Sequence, residues 1–207
     1  MTGGWADAVD RYCERLGPGL WAEPLNAASN LAFLVVAGVL WPRVAGRDRR
    51  LLVLLVGAVG LGSAVFHTVA ERWAETLDVA CIALYLLAYV AVFAHRVGGW
   101  RAGVAWTAAP LLALWTAVAT AALPPPWRGL GMYLAAWTAL WALAAWAARR
   151  RAPAVRPLVA TALLFAASLA LRQLDLPLCD RWPAGTHWAW HLLNAGVLAM
   201  SMRALGR

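Results

Sequence analysis

Lysine is missing from this 207-residue chain: all eighteen basic residues are Arg. Carboxylates are scarce, with ten in total, and charged residues make up only 14% of the sequence. A soluble domain carries roughly 25%, so an ordinary globular protein is excluded on that balance. Three Cys, at 13, 81 and 179, are too few and too scattered for a disulfide scaffold or a Cys-x-x-Cys metal knuckle. Internal repeats are lacking, and so are connections long enough to form a soluble domain. The first twenty residues carry Asp7, Asp10, Arg11, Glu14 and Arg15 and no apolar run, so no cleavable signal peptide is expected and the first span serves as the targeting signal.

What is abundant is apolar: 63% of the residues are hydrophobic, and the mean hydropathy is +0.64. These residues fall in blocks of about twenty, the length that crosses a hydrocarbon core of roughly 30 Å. Spans are expected over 25–41, 51–68, 75–95, 102–122, 129–148, 155–174 and 186–204. The fold class that follows is all-α, a single seven-transmembrane helix bundle over 1–207 with an external N-terminal segment at 1–24.

The net charge of +8 then reports topology, and no nucleic-acid partner is expected. If the N-terminal side is A, side B holds Arg43, Arg47, Arg49, Arg50, Arg96, Arg101, Arg149, Arg150, Arg151, Arg156, Arg203 and Arg207, twelve of the eighteen. Side A holds the other six and nine of the ten carboxylates. The positive-inside rule makes side B cytoplasmic, with the N-terminus outside and the C-terminus inside. Trp21, Trp41, Trp73, Trp100, Trp127 and Trp182 stand near span ends, where an aromatic belt belongs. The expected location is a plasma membrane, taken as bacterial. Cys13 and Cys179 both fall on side A, the oxidising side, and Cys81 lies inside the third span, so a Cys13–Cys179 disulfide is expected.

Ionisable groups inside spans are expensive, and each one is a candidate functional residue. His67 ends the second span, His187 and His191 begin the seventh, and Asp78 lies near the start of the third; alternation puts all four at side A and at one depth. His95 is at the opposite end of the third span, about 30 Å away at 1.5 Å per residue. His187 and His191 share a helix face, as do Ser63 and His67. Three imidazoles are a familiar ligand set for catalytic Zn²⁺, with a fourth position left for water. Bound water would become acidic enough to supply a nucleophile at neutral pH. Asp78 would exchange protons with it, and the Ser63 hydroxyl would face the carbonyl oxygen. Glu23, Asn26 and Asn30 share one face of the first span. Asn30 and Ser29 suit interhelical packing, whereas Glu23, with Glu14, Asp10 and Asp7 nearby, offers hard oxygens suited to Ca²⁺.

Several segments together carry a resemblance. They are Tyr12-Cys13-Glu14, then Trp21 to Asn26 with Ser29-Asn30, then Gly62-Ser63 with Phe66-His67, then Asp78, then His187-Trp188-Ala189-Trp190-His191. In this order the chain resembles the alkaline ceramidase family, part of a superfamily of seven-helix membrane hydrolases that includes the adiponectin receptors. The resemblance implies a zinc amidase that cleaves the N-acyl bond of ceramide, a membrane lipid, and releases a fatty acid. It implies His67, His187 and His191 as zinc ligands, Ser63 and Asp78 as the catalytic pair, Cys13 as an external Cys, and Glu14, Glu23 and Asn26 near a calcium site. Arg11, Leu16 and Val79 depart from the family's pattern, the first two in its calcium region. Two alternatives stay open: an ester-directed lipid acyl hydrolase, and a receptor or transporter-like bundle whose metal is structural.

Overall fold

The computed structural model describes residues 4–17 and 19–206. Residues 1–3 and 18 of the expected N-terminal segment lie outside them, as does Arg207 of side B. Six helices are long and apolar enough to cross a membrane: α1 (Pro24–Arg43), α2 (Arg47–Val69), α3 (Arg72–Arg96), α4 (Ala102–Ala122), α5 (Pro125–Arg149) and α6 (Val155–Leu174). A seventh, α7 (His187–Arg203), is shorter at 17 residues. Among the described residues the sole β pairing is an isolated bridge between Ala8 and Glu71.

Each helix is found where an apolar block was expected, and the ends differ for local reasons. α2 begins at Arg47 rather than 51 because the charged run Arg47-Asp48-Arg49-Arg50 is itself helical. Arg49 is buried there, and its guanidinium donates to the carbonyls of Ala45 and Gly206. α1 is broken at Asn30, between Pro24–Ser29 and Leu31–Leu40. α4 breaks after Ala105 and resumes at Ala108; Pro110 stands in the first turn of the new segment, where a missing N–H is tolerated.

Consecutive helices pack against one another from α1 to α7, and α7 returns to pack against α1, so the bundle is a closed ring. Its outer face is apolar and open: Leu54, Leu61, Leu114 and Leu163 are all more than half exposed. Its interior holds the polar residues, with Glu23, Asn26, Asn30, Ser63, His67, His187 and His191 all buried. That inversion is what a hydrocarbon solvent demands of an integral membrane protein.

Two close approaches place the site. Gly60 lets α2 meet α1, because a Cβ there would lie 2.7 Å from Phe33 Cβ and 3.1 Å from the Asn30 carbonyl oxygen. Gly62 lets α2 meet α3, because a Cβ there would lie 3.1 Å from Cys81 Sγ and 3.5 Å from Asp78 Cα. Ala70 then ends α2 in the left-handed region at φ 50°, a conformation that costs an L-residue roughly 1–2 kcal/mol. The N-terminal segment holds it there: Val9 N–H donates to the Ala70 carbonyl at 2.8 Å.

Candidate metal centre

His67, in the last turn of α2, and His187 and His191, in the first turns of α7, converge at the N-terminal end of the ring. One ligand nitrogen from each lies within 4.8 Å of the other two, and all three side chains are buried. Among the described residues this is the one group of His, Cys, Asp and Glu able to hold a metal ion.

The partners of these rings select which nitrogen faces the centre. His67 Nδ1 donates to Glu23 Oε2 at 2.5 Å, so its Nε2 carries the lone pair, and that Nε2 is buried without a partner. Ser29 Oγ donates to the Asn26 carbonyl and therefore accepts from His191 Nδ1 at 2.7 Å. The lone pair of His191 is thus on Nε2, which is 3.4 Å from Ser63 Oγ. His187 Nδ1 is buried with no partner, and its ring stacks on Tyr12 at 3.7 Å between centroids. Buried imidazole nitrogens without hydrogen bonds are costly in an apolar interior. Their orphaning, and the clustering of three such rings, fit a metal ion bound among them.

Glu23 was offered, with Glu14 and Asn26, as a calcium candidate. Its carboxylate turns inward, is 1% exposed, and accepts from His67, from Arg15 Nε at 2.6 Å and from Asn26 Nδ2 at 3.2 Å. Burial opposes its charge, but those hydrogen bonds outweigh the penalty and hold the carboxyl below the usual carboxylate range. Glu14 is committed too, with its two oxygens taking the N–H groups of Leu25 and Asn26 at the start of α1. The position available for a cation beside Glu23 is filled by the Arg15 guanidinium. Asn26 Oδ1 remains buried without a partner.

Ser63 and Asp78 stand on facing turns of α2 and α3 across the Gly62 contact, and both line a small polar pocket with His187 and His191. Asp78 Oδ1 is buried and unpaired. Four further residues of the site had no role assigned to them from the sequence, although Tyr12 belongs to a segment that carries the resemblance. Arg172, on α6, lines the pocket and lies over the Tyr133 ring at 4.8 Å; from sequence it reads as a span-end Arg snorkelling to the interface. Tyr12 covers the centre from outside the ring, and burial pushes its phenol up, which keeps it neutral. Asn194, one turn beyond His191, also lines the pocket. Asp175 reads as a loop residue, yet it is buried. It accepts from the N–H groups of Thr186 and His187 through Oδ1 and from Cys13 N–H through Oδ2, so it caps α7 and fixes the ligand-bearing turn.

The disulfide is present between Cys13 and Cys179, with Cα atoms 5.3 Å apart, and Cys81 is free. It straps the N-terminal segment to the connection before α7. His95 is remote from the cluster, at the far end of α3, and its Nδ1 donates to the Trp100 carbonyl at 2.8 Å. A scan against protein-family models and a search of curated proteins give no match for this chain, and the chemistry of the centre stands on its own geometry.

Proposed function

We propose that this protein is a zinc-dependent hydrolase of the membrane that cleaves the N-acyl amide bond of ceramide or a related N-acyl lipid and releases a fatty acid. One observation carries the reading: a three-histidine cluster with an unpaired, buried Asp78 carboxylate oxygen in the same pocket as two of its ligands. A metal held only for structure has no use for a free carboxylate at its open side, whereas a hydrolase has. The resemblance to alkaline ceramidases supports the same residues in the same roles. Zinc suits a set of three neutral imidazoles, two of them oriented by a carboxylate or hydroxyl on the second nitrogen.

When bound, the metal supplies Lewis acidity at the scissile carbonyl and an acidified water as nucleophile. Asp78 takes up the proton as the water oxygen bonds to the carbonyl carbon, and returns it to the amine nitrogen as the C–N bond breaks. The Ser63 hydroxyl donates to the carbonyl oxygen as charge builds there, and Arg172 adds a permanent positive charge to the same pocket. Glu23 and Ser29 keep His67 and His191 in the tautomer that ligates. In this reading α1 to α7 all span the membrane, the N-terminus and the centre lie outside, and the C-terminus is cytoplasmic.

The test is acyl release by purified, zinc-loaded protein from a panel of amide-linked and ester-linked lipids, with and without chelator. Release from the amides that chelator abolishes and zinc restores supports the reading. Release confined to esters assigns an ester hydrolase, and no release from any lipid returns the centre to a structural role.

A further inference from the structure

A second space adjoins the polar pocket and shares Val59, Ile82, Tyr133 and Asn194 with it as wall residues. It contains about 690 Å³ between atoms, its mouths included. α5 lines it from Tyr133 to Leu143, a run of ten residues that rises about 15 Å. On α7 its last wall residue is Ser201, ten residues beyond His191 and again about 15 Å below the metal depth. Between those levels the walls are aliphatic and aromatic apart from Asn194 near the polar pocket and Thr161, whose hydroxyl is already committed to the Pro157 carbonyl.

The far end is different. Ser201 Oγ donates to the Leu198 carbonyl at 2.8 Å and so accepts from the Tyr85 hydroxyl at 2.7 Å. The Tyr89 hydroxyl donates to the Ser201 carbonyl at 3.0 Å. All three residues are buried. They form a crossbar of satisfied hydrogen bonds that ties α3 to α7 across the channel. An aliphatic side chain yields to a ligand by changing rotamer; displacing this crossbar would strand buried hydroxyls in an apolar interior.

We propose that the Tyr85–Tyr89–Ser201 crossbar sets the length of acyl chain that this channel can take. An extended chain advances roughly 1.2–1.3 Å per bond, so a depth of about 15 Å accommodates about twelve carbons. Shorter chains leave wall uncovered, and longer ones meet the crossbar. The identity of the group at the mouth rests on the hydrolase reading; the length limit does not.

Two measurements separate these claims. Binding of saturated free fatty acids of 8 to 18 carbons to zinc-loaded protein in detergent is followed by native mass spectrometry, and acyl release is followed from N-acyl lipids of the same lengths. Affinity should rise about fourfold per added methylene, the yield of burying one CH₂, peak near twelve carbons and fall by sixteen. Tyr89→Ala removes part of the crossbar and should move the peak to longer chains. Ala139→Phe, which narrows the channel from α5 and leaves the crossbar whole, should move it to shorter ones. Binding that is flat from 8 to 18 carbons, or a peak that neither variant moves, would overturn the proposal. A binding peak near twelve carbons with no turnover of any lipid would support the length limit and sink the hydrolase.

Discussion

Asp78 stands about two turns into α3 with an oxygen that no group among the described residues satisfies. An ionisable carboxyl at such a depth costs roughly 2.5–3.5 kcal/mol on insertion scales, so its retention has to be repaid at the centre. Replacing it with Asn keeps the volume and removes the base. Turnover should then fall about 10²- to 10⁴-fold with zinc content unchanged, the range for a lost general acid and base. Parallel assays of acyl release and bound zinc decide this. Full activity would remove Asp78 from the chemistry, and zinc loss that excess metal reverses would make it a support for the ligands instead. Glu23→Gln tests the neighbouring claim. Without a carboxylate on Nδ1, His67 is a poorer ligand, and zinc affinity should drop about 10- to 100-fold in competition with a fluorescent chelator. Because Arg15 already occupies the cation position beside Glu23, adding calcium to zinc-buffered protein should change neither activity nor melting temperature.

At the scale of the helix, the ring depends on places where α2 has no side chain. Gly60→Ala would put a Cβ against the Phe33 Cβ and the Asn30 carbonyl, neither of which is a flexible side-chain end. We expect a loss of about 1–3 kcal/mol, the usual cost of overpacking, seen as a lower melting temperature in detergent. Zinc affinity should weaken with it, because α1 also carries Ser29 and follows directly on Glu23. Helix positions were legible because an apolar block of about twenty residues has one physical meaning in a chain with so little charge. Helix ends were not: Arg47 to Arg50 look like loop, yet they continue α2 because Arg49 finds the carbonyls of Ala45 and Gly206. The clustering of His67, His187 and His191 was legible from shared depth and four-residue spacing. Arg172 and Asp175 were not, since each acquires its role from a residue far away in sequence, Tyr133 in one case and Cys13 in the other. The three- and four-residue spacing of Glu23, Asn26 and Asn30 already pointed that face inward, but the pairing of Glu23 with both Arg15 and His67 is something no local pattern encodes.

For the molecule as a whole, the Cys13–Cys179 bond closes a loop of 166 residues. A link over so long a segment should stabilise the folded state by about 2–5 kcal/mol. Cys13→Ser should therefore lower the melting temperature, and alkylation of non-reduced wild-type protein should label Cys81 alone. Labelling of all three thiols would show that the strap is open in solution. The distribution of Arg, twelve on one side and six on the other, makes the compartment of each end testable with a reporter fused after the last residue, which should be active only in the cytoplasm. Activity on the other side would invert the proposed topology.

The ring is closed by the contact of its last helix with its first, and two of the three clustered His are carried by that last helix. A ribosome making this chain therefore delivers His67 early and His187 and His191 only some 120 residues later. A chain interrupted before residue 187 offers the metal a single imidazole, and Ser29 waits without the ring it is to hold. If the cluster takes an ion as proposed, binding has to wait until α7 has been inserted and has met α1, and a fragment that stops short of His187 should purify without metal.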